Sequence, residues 1–339
     1  MERVRAGPDT VFNEMMAVNE DLQLPYTMDA HQLSNPYQAK VLRTDVNRAI
    51  PSYIPELLDE SKLAFEDAFK VTDTVLGIAD IEVFDTMTHL IARISNRVIF
   101  GKDLCRNQEF LRATVRFAET TPLMAPFIQW SPLFFRPSIF ITQTLFEIAL
   151  LRPEEVEGMR SEVEDALESE GGWNKAAVDR FYKIDSALRE VGRYHGLMHF
   201  ALPRYAIVGC ELADGKFVPP GSRIAIDMKA IHFDADIYPD PNRCDLFRFS
   251  NMREKNGSGN SNHGFATVDS YYLPFGAGRH ACAGRFFAAV ELKIMLAHIL
   301  LEYNISYPHK VNERPRNIIF NGAIIPDSKA RLVFKRRKM

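Results

Sequence analysis

Phe275-Gly276-Ala277-Gly278-Arg279-His280-Ala281-Cys282-Ala283-Gly284 sets one cysteine just ahead of a long amphipathic stretch in which Phe286, Phe287, Val290, Ile294, Met295, Ala297 and Leu301 recur at helical spacing. A thiolate at Cys282 would stand beside the first unpaired N–H groups of that helix. Their hydrogen bonds and the positive end of the helix dipole favour ionised sulfur, the form that binds iron. Gly278 and Gly284 allow a tight turn and close approach of the backbone to a flat macrocycle, Phe275 can pack against the loop, and His280 can reach a haem propionate. The arrangement suits a haem-thiolate ligand.

A lone cysteine is more often a small buried hydrophobe than a metal ligand. Here four spaced residues, Phe275, Gly278, Cys282 and Gly284, match together, a coincidence expected about once in a thousand chains of this length. The segment resembles the haem-binding loop of the cytochrome P450 family, in which the cysteine at the position of Cys282 is the axial iron ligand, and Tyr272 to Glu291 is most similar to fungal members. The resemblance implies a mainly α fold with a small β region and haem b, iron protoporphyrin IX, as cofactor. It also implies dioxygen and a small apolar molecule as substrates, an NADPH-dependent reductase as partner, and the cytosolic face of the endoplasmic reticulum as location.

Two segments ahead of the loop fit this reading. Glu190 and Arg193 lie three apart on a predicted helix, so a carboxylate can grip a guanidinium there. The spacing alone is uninformative, since it recurs at Glu2, Glu109, Glu157 and Glu313, and such pairs usually decorate solvated faces. Between Glu190 and Cys282 come Tyr238-Pro239-Asp240-Pro241 and Phe247-Arg248-Phe249, which resemble the family's meander. By that resemblance Arg248 completes a buried cluster of one glutamate and two arginines. Charges so buried must all be paired. Arg204, after Leu202 and Pro203, is either a propionate contact, as the resemblance implies, or a surface arginine at a strand start.

The chain of 339 residues, 46% hydrophobic, can bury a sizeable core but is short for the family it resembles. Its net charge of −3 and pI near 6.3 offer no basic stripe, which argues against nucleic acid as a partner. Cys105, Cys210, Cys244 and Cys282 lack zinc or disulfide-framework spacing and point to a reducing compartment. Glu2, Arg3, Arg5, Asp9 and Glu14 interrupt any signal-like run, so the family's membrane anchor is expected to be missing and the location cytoplasmic or unassigned. Pro122 to Leu151 is apolar but carries Pro126, Pro132, Arg136 and Pro137, which makes it a buried helix and turn, with no transmembrane segment expected.

Apolar spacing predicts helices over 52–70, 81–100 and 108–120, a charged helix from Pro153 and one ending near Tyr194, making the first half all-helical. Short strands follow over 205–208, 216–218 and 222–227, with a Gly, Ser and Asn rich loop over 256–263 and strands between Ile318 and Phe334. One domain is expected over 1–339, mainly helical to residue 203, with small sheets, haem loop and final helix over 204–339.

The resemblance skips roughly a hundred residues of family pattern between Arg116–Pro137 and Thr142–Leu151. The acid and alcohol pair that delivers protons in the family would fall near Phe135-Arg136-Pro137-Ser138, where no carboxylate stands. Thr142 and Thr144 are possible substitutes, although a helix threonine commonly bonds its own backbone. Three readings follow: a monooxygenase of terpenoid or alkaloid secondary metabolites, a haem-thiolate isomerase or dehydratase needing no redox partner, and an inactive truncated product.

Overall fold

A computed structural model describes residues 2–22, 37–69, 77–124, 135–255, 263–308, 313–320 and 322–337. In chain order the longer elements begin with β1 (Phe12–Asn13), α1 (Glu14–Leu22), α2 (Asn47–Phe69), β2 (Ile78–Glu82), α3 (Val83–Ile99), α4 (Gln108–Met124) and α5 (Phe135–Ile148). There follow α6 (Pro153–Ser169), α7 (Tyr182–Tyr194), β3 (Phe200–Ala206), β4 (Cys210–Glu211), β5 (Phe217–Val218), β6 (Arg223–Asp227) and α8 (Arg248–Lys255). The chain ends through α9 (Arg285–Glu302), β7 (Tyr303–Ser306), β8 (Ile318–Phe320), β9 (Ala323–Ile325) and β10 (Arg331–Arg336). The fold is mainly helical with a small sheet part.

Two helices are apolar almost all round and so lie at the centre. On α5, Ile139, Phe140, Ile141, Leu145 and Phe146 are buried together, and on α9 the buried residues run from Phe287 to Leu300. Around them α2 turns in Ile50, Ile54 and Leu57, and α3 turns in Met87, Leu90 and Ile94, each at intervals of three or four residues. One apolar cluster joins these faces from Ile50 to Phe334.

The expectation of an all-helical first half is corrected by β1 and β2. β1 pairs with β3, which pairs with β6, and β2 pairs with β10, which pairs with β7, every pairing antiparallel. β2 buries only Ala79 and Ile81 and runs straight into α3. Its two-residue alternation therefore merges with the helix's apolar run, and only its partner in β10, far along the sequence, distinguishes it. β3 begins at Phe200, earlier than the predicted 205. It passes through Pro203 by a register shift between Ala201 and Arg204, with Leu202 at φ 52°. The loop predicted over 256–263 lies outside the described residues up to 262, as do residues 125–134 of the apolar stretch. No helix among the described residues is long and apolar enough to cross a membrane.

Candidate functional site

The loop ahead of α9 is held by its own backbone. The Cys282 N–H donates to the Phe275 carbonyl at 2.8 Å, and the Cys282 carbonyl accepts from Arg285 Nη1 at 2.8 Å. Gly276 and Gly278 take φ of 70° and 69°, which only glycine adopts without strain. Gly284, expected to turn tightly, has φ −87°, open to any residue. Yet it lines the same cavity as Cys282, and a Cβ there would have no neighbour nearer than Leu42 Cδ1 at 4.0 Å. Phe275 is buried, stacked on Phe140 of α5 at 5.6 Å and edge-on to Phe265 at 5.0 Å, so it fixes the loop to the central helix. Arg43 donates to the carbonyls of Arg279 and Ala281 at 2.7 and 3.3 Å, a brace that the sequence did not signal.

Cys282 stands in the wall of a cavity of about 700 Å³, with Phe140, Leu197, Leu202 and Met228 among its apolar lining and Arg43, Arg136 and His280 among its polar lining. Arg204 lies inside β3 and is 1% exposed, so the reading as a surface arginine at a strand start is corrected. Arg204 and His280 meet at one carboxylate: Glu14 Oε2 is 3.2 Å from Arg204 Nη1 and 3.0 Å from His280 Nδ1. Burial raises the Glu14 pKa to about 7 against the lowering pull of Arg204. Burial lowers the pKa of both His280 and Arg204.

Glu190, Arg193 and Arg248 are brought together in the interior. Arg193 Nε and Nη2 donate to Glu190 Oε2 and Oε1 at 2.8 and 2.7 Å, a bidentate pair, and Arg248 Nε donates to the same two oxygens at 3.1 and 3.2 Å. The remaining N–H groups of the two guanidiniums clip the meander by its backbone. Arg193 donates to the carbonyls of His232, Pro241 and Arg243 at 2.8, 2.9 and 3.0 Å. Arg248 donates to those of Pro239, Asp240 and Arg243.

His232, which sequence reasoning missed, links this cluster to the haem loop. Its Nδ1 faces the Arg193 carbonyl at 3.0 Å, its Nε2 accepts from the Leu273 N–H at 3.3 Å, and its ring stacks on Tyr272. Those partners require a neutral ring, and burial lowers its pKa to about 3. Arg189, also missed, lies 4.0 Å over the Tyr272 ring and donates to the carbonyls of Gly264 and Thr267. Its place beside Glu190 was the only signal.

At the start of α5, Arg136, Pro137 and Phe140 line the cavity, whereas Thr142 and Thr144 do not. Thr144 Oγ1 donates to the Phe140 carbonyl at 2.7 Å, and the buried Thr142 hydroxyl has no hydrogen-bond partner. A separate trio, Glu147, His195 and Cys244, gathers three metal-capable groups, but Arg314 Nε pairs with Glu147 Oε1 at 2.7 Å and supplies the positive charge there.

The residues fit a haem. The cavity lies within the roughly 300–1,000 Å³ of pockets that bury an organic ligand. A soft sulfur donor, Cys282, is in its wall, and the buried Nη2 of Arg204 has no hydrogen-bond partner in the protein.

Residues 138–334 match the family model for cytochrome P450. Among curated proteins, the chain is 27% identical to cytochrome P450 monooxygenase 151 of Postia placenta, over 99% of this chain and 83% of that protein. It is 27% identical to cytochrome P450 monooxygenase paxQ of Penicillium paxilli, over 97% of this chain and 79% of that protein. The alignment with the Postia protein runs over 419 residues, more than the 339 present here, so that relative carries segments inside the matched region that this chain lacks. With the cysteine loop, the cavity and the family match in agreement, the chain belongs to the cytochrome P450 family, haem-dependent oxidoreductases that put oxygen from dioxygen into small molecules with electrons from a reductase.

Proposed function

We propose that this chain binds haem b through Cys282 and oxygenates a small apolar secondary metabolite of terpenoid or alkaloid type, with electrons from an NADPH-dependent reductase. The observation that carries the reading is Cys282 in the wall of a largely apolar cavity, three residues ahead of α9, with His280 and Glu14 in the same wall and Arg204 paired behind Glu14. When bound, the haem supplies the iron at which dioxygen is reduced and its oxygen transferred.

The chain's own residues do the rest. The tie from the Cys282 N–H to the Phe275 carbonyl sets the sulfur's position just ahead of α9. Arg204 and His280 would hold the propionates. Phe140, Leu197, Leu202 and Met228 exclude water and select an apolar substrate. Glu190, Arg193, Arg248 and His232 position the loop from behind and touch no reacting atom. The reductase requirement favours action at the cytosolic face of the endoplasmic reticulum.

The test is to reduce the purified protein under carbon monoxide. A strongly red-shifted Soret band is expected, and it is expected to vanish in Cys282→Ala. A band that persists in that variant excludes Cys282 as ligand, and a protein that retains no haem favours the inactive truncated product.

One observation favours a second reading, a haem-thiolate isomerase or dehydratase. Neither Thr142 nor Thr144 lines the cavity, and Arg136 and Pro137 stand where a proton-delivering pair is expected. Turnover without reductase, NADPH and dioxygen supports that reading, and product formed only with all three supports oxygenation.

A further inference from the structure

The side chains expected to hold a haem carboxylate, Arg204 and His280, already face carboxylates of the chain. β1 and β3 pair with Phe12 opposite Ala206 and Asn13 opposite Tyr205, and the same register, continued one residue, sets Glu14 opposite Arg204. The placement is anchored, because Phe12 is 1% exposed and packs with Ala206, Cys210 and Val218. Glu14 Oε2 then lies within 3.2 Å of both Arg204 and His280, while Asp9 Oδ1 is 3.1 Å from His280 Nε2 and accepts from Arg279 Nη2 at 2.9 Å. Two chain carboxylates thus stand among Arg204, Arg279 and His280, as many as the propionates of protoporphyrin.

The fit is incomplete. Glu14 Oε2 and Arg204 Nη2 are both buried without a full hydrogen bond, so the ion pair leaves the cradle able to take another carboxylate. Both the chain's carboxylate and a propionate need the Arg204 guanidinium and the His280 ring at close range, and two like charges cannot share one guanidinium without cost.

We propose that Glu14 is a built-in stand-in for a haem carboxylate: it occupies the Arg204–His280 cradle in the haem-free chain, must yield those two partners when haem enters, and so weakens haem retention. The inference rests on the haem-thiolate reading. It makes the segment from Asp9 to Glu14 a control on cofactor loading, separate from the reaction.

Hemin and hemin dimethyl ester, whose propionates are capped, are titrated into the haem-free full-length wild type and Glu14→Gln, with affinity read from the Soret band. Glu14→Gln is expected to bind hemin about tenfold more tightly, the effect of one charge-assisted contact, with no change for the ester. Glu14→Ser, with the same expectation, serves where Glu14→Gln does not fold by far-ultraviolet circular dichroism. Equal hemin affinity in wild type and a folded variant, weaker binding in the variant, or an equal gain for the ester overturns the role of Glu14. Absence of any Cys282-dependent Soret shift in every protein overturns the haem-thiolate reading itself.

Discussion

At the scale of single residues, two glycines of the thiolate loop do different work although the sequence shows them alike. Gly278 sits at φ 69°, and a Cβ there would come 3.1 Å from the Arg5 carbonyl oxygen. A left-handed backbone costs an ordinary residue about 1–2 kcal/mol before that crowding is counted. Gly278→Ala is therefore expected to lose at least that much stability in a urea titration, whereas Gly284→Ala, at φ −87°, is expected to lose little. Equal losses would show that turn geometry does not separate the two positions. Cys282, Phe275 and the trio Glu190, Arg193 and Arg248 were legible because each needs its residue type at a fixed place along the chain. Glu14, Arg43 and His232 were not, since each acts through a partner remote in sequence and lies in no local pattern.

Among the elements, α9 carries a buried acid. Glu291 is 1% exposed, accepts a hydrogen bond from Ser95 Oγ at 2.5 Å, and is pushed by burial to a pKa of about 8. Unfolded glutamate titrates near 4.3, so the folded chain keeps this proton where the unfolded chain has lost it. The contribution to stability is full below about pH 4, falls as pH rises toward 8, and is flat above that, a loss on the order of a few kcal/mol. Glu291→Gln is expected to flatten this part of the pH profile of urea unfolding, leaving the same-signed slope from Glu14 and Glu162, both raised to about 7. An unchanged profile would show that Glu291 is ionised in the folded chain. Helices α2, α3 and α9 were readable because their apolar stripes are local, and α6 because Pro153 and the acids Glu154, Glu155 and Glu157 mark its start. The strands were not: β2 is five residues long and is defined by pairing with β10, and the start of β3 is hidden by a proline and a register shift. Base-pair-like rules for sheet partners do not exist within a single chain's sequence, so register came only with the fold.

Across the whole molecule, the early and late parts of the chain are stitched together by β1 with β3 and by β2 with β10, over one apolar cluster. The stretch from Phe233 to Phe247 contains no long helix or strand of its own. What fastens it to α7 and α8 is a pair of side-chain guanidiniums, Arg193 and Arg248, seated on main-chain oxygens. Guanidinium chloride delivers that same chemical group from solution and can take the seats directly, a competition that urea cannot imitate at Glu190. Guanidinium usually unfolds proteins at about half the molar concentration of urea. Here its midpoint is expected well below half, with sodium chloride added to urea failing to close the gap. A ratio near two would mean that these clips yield only when the rest of the molecule does.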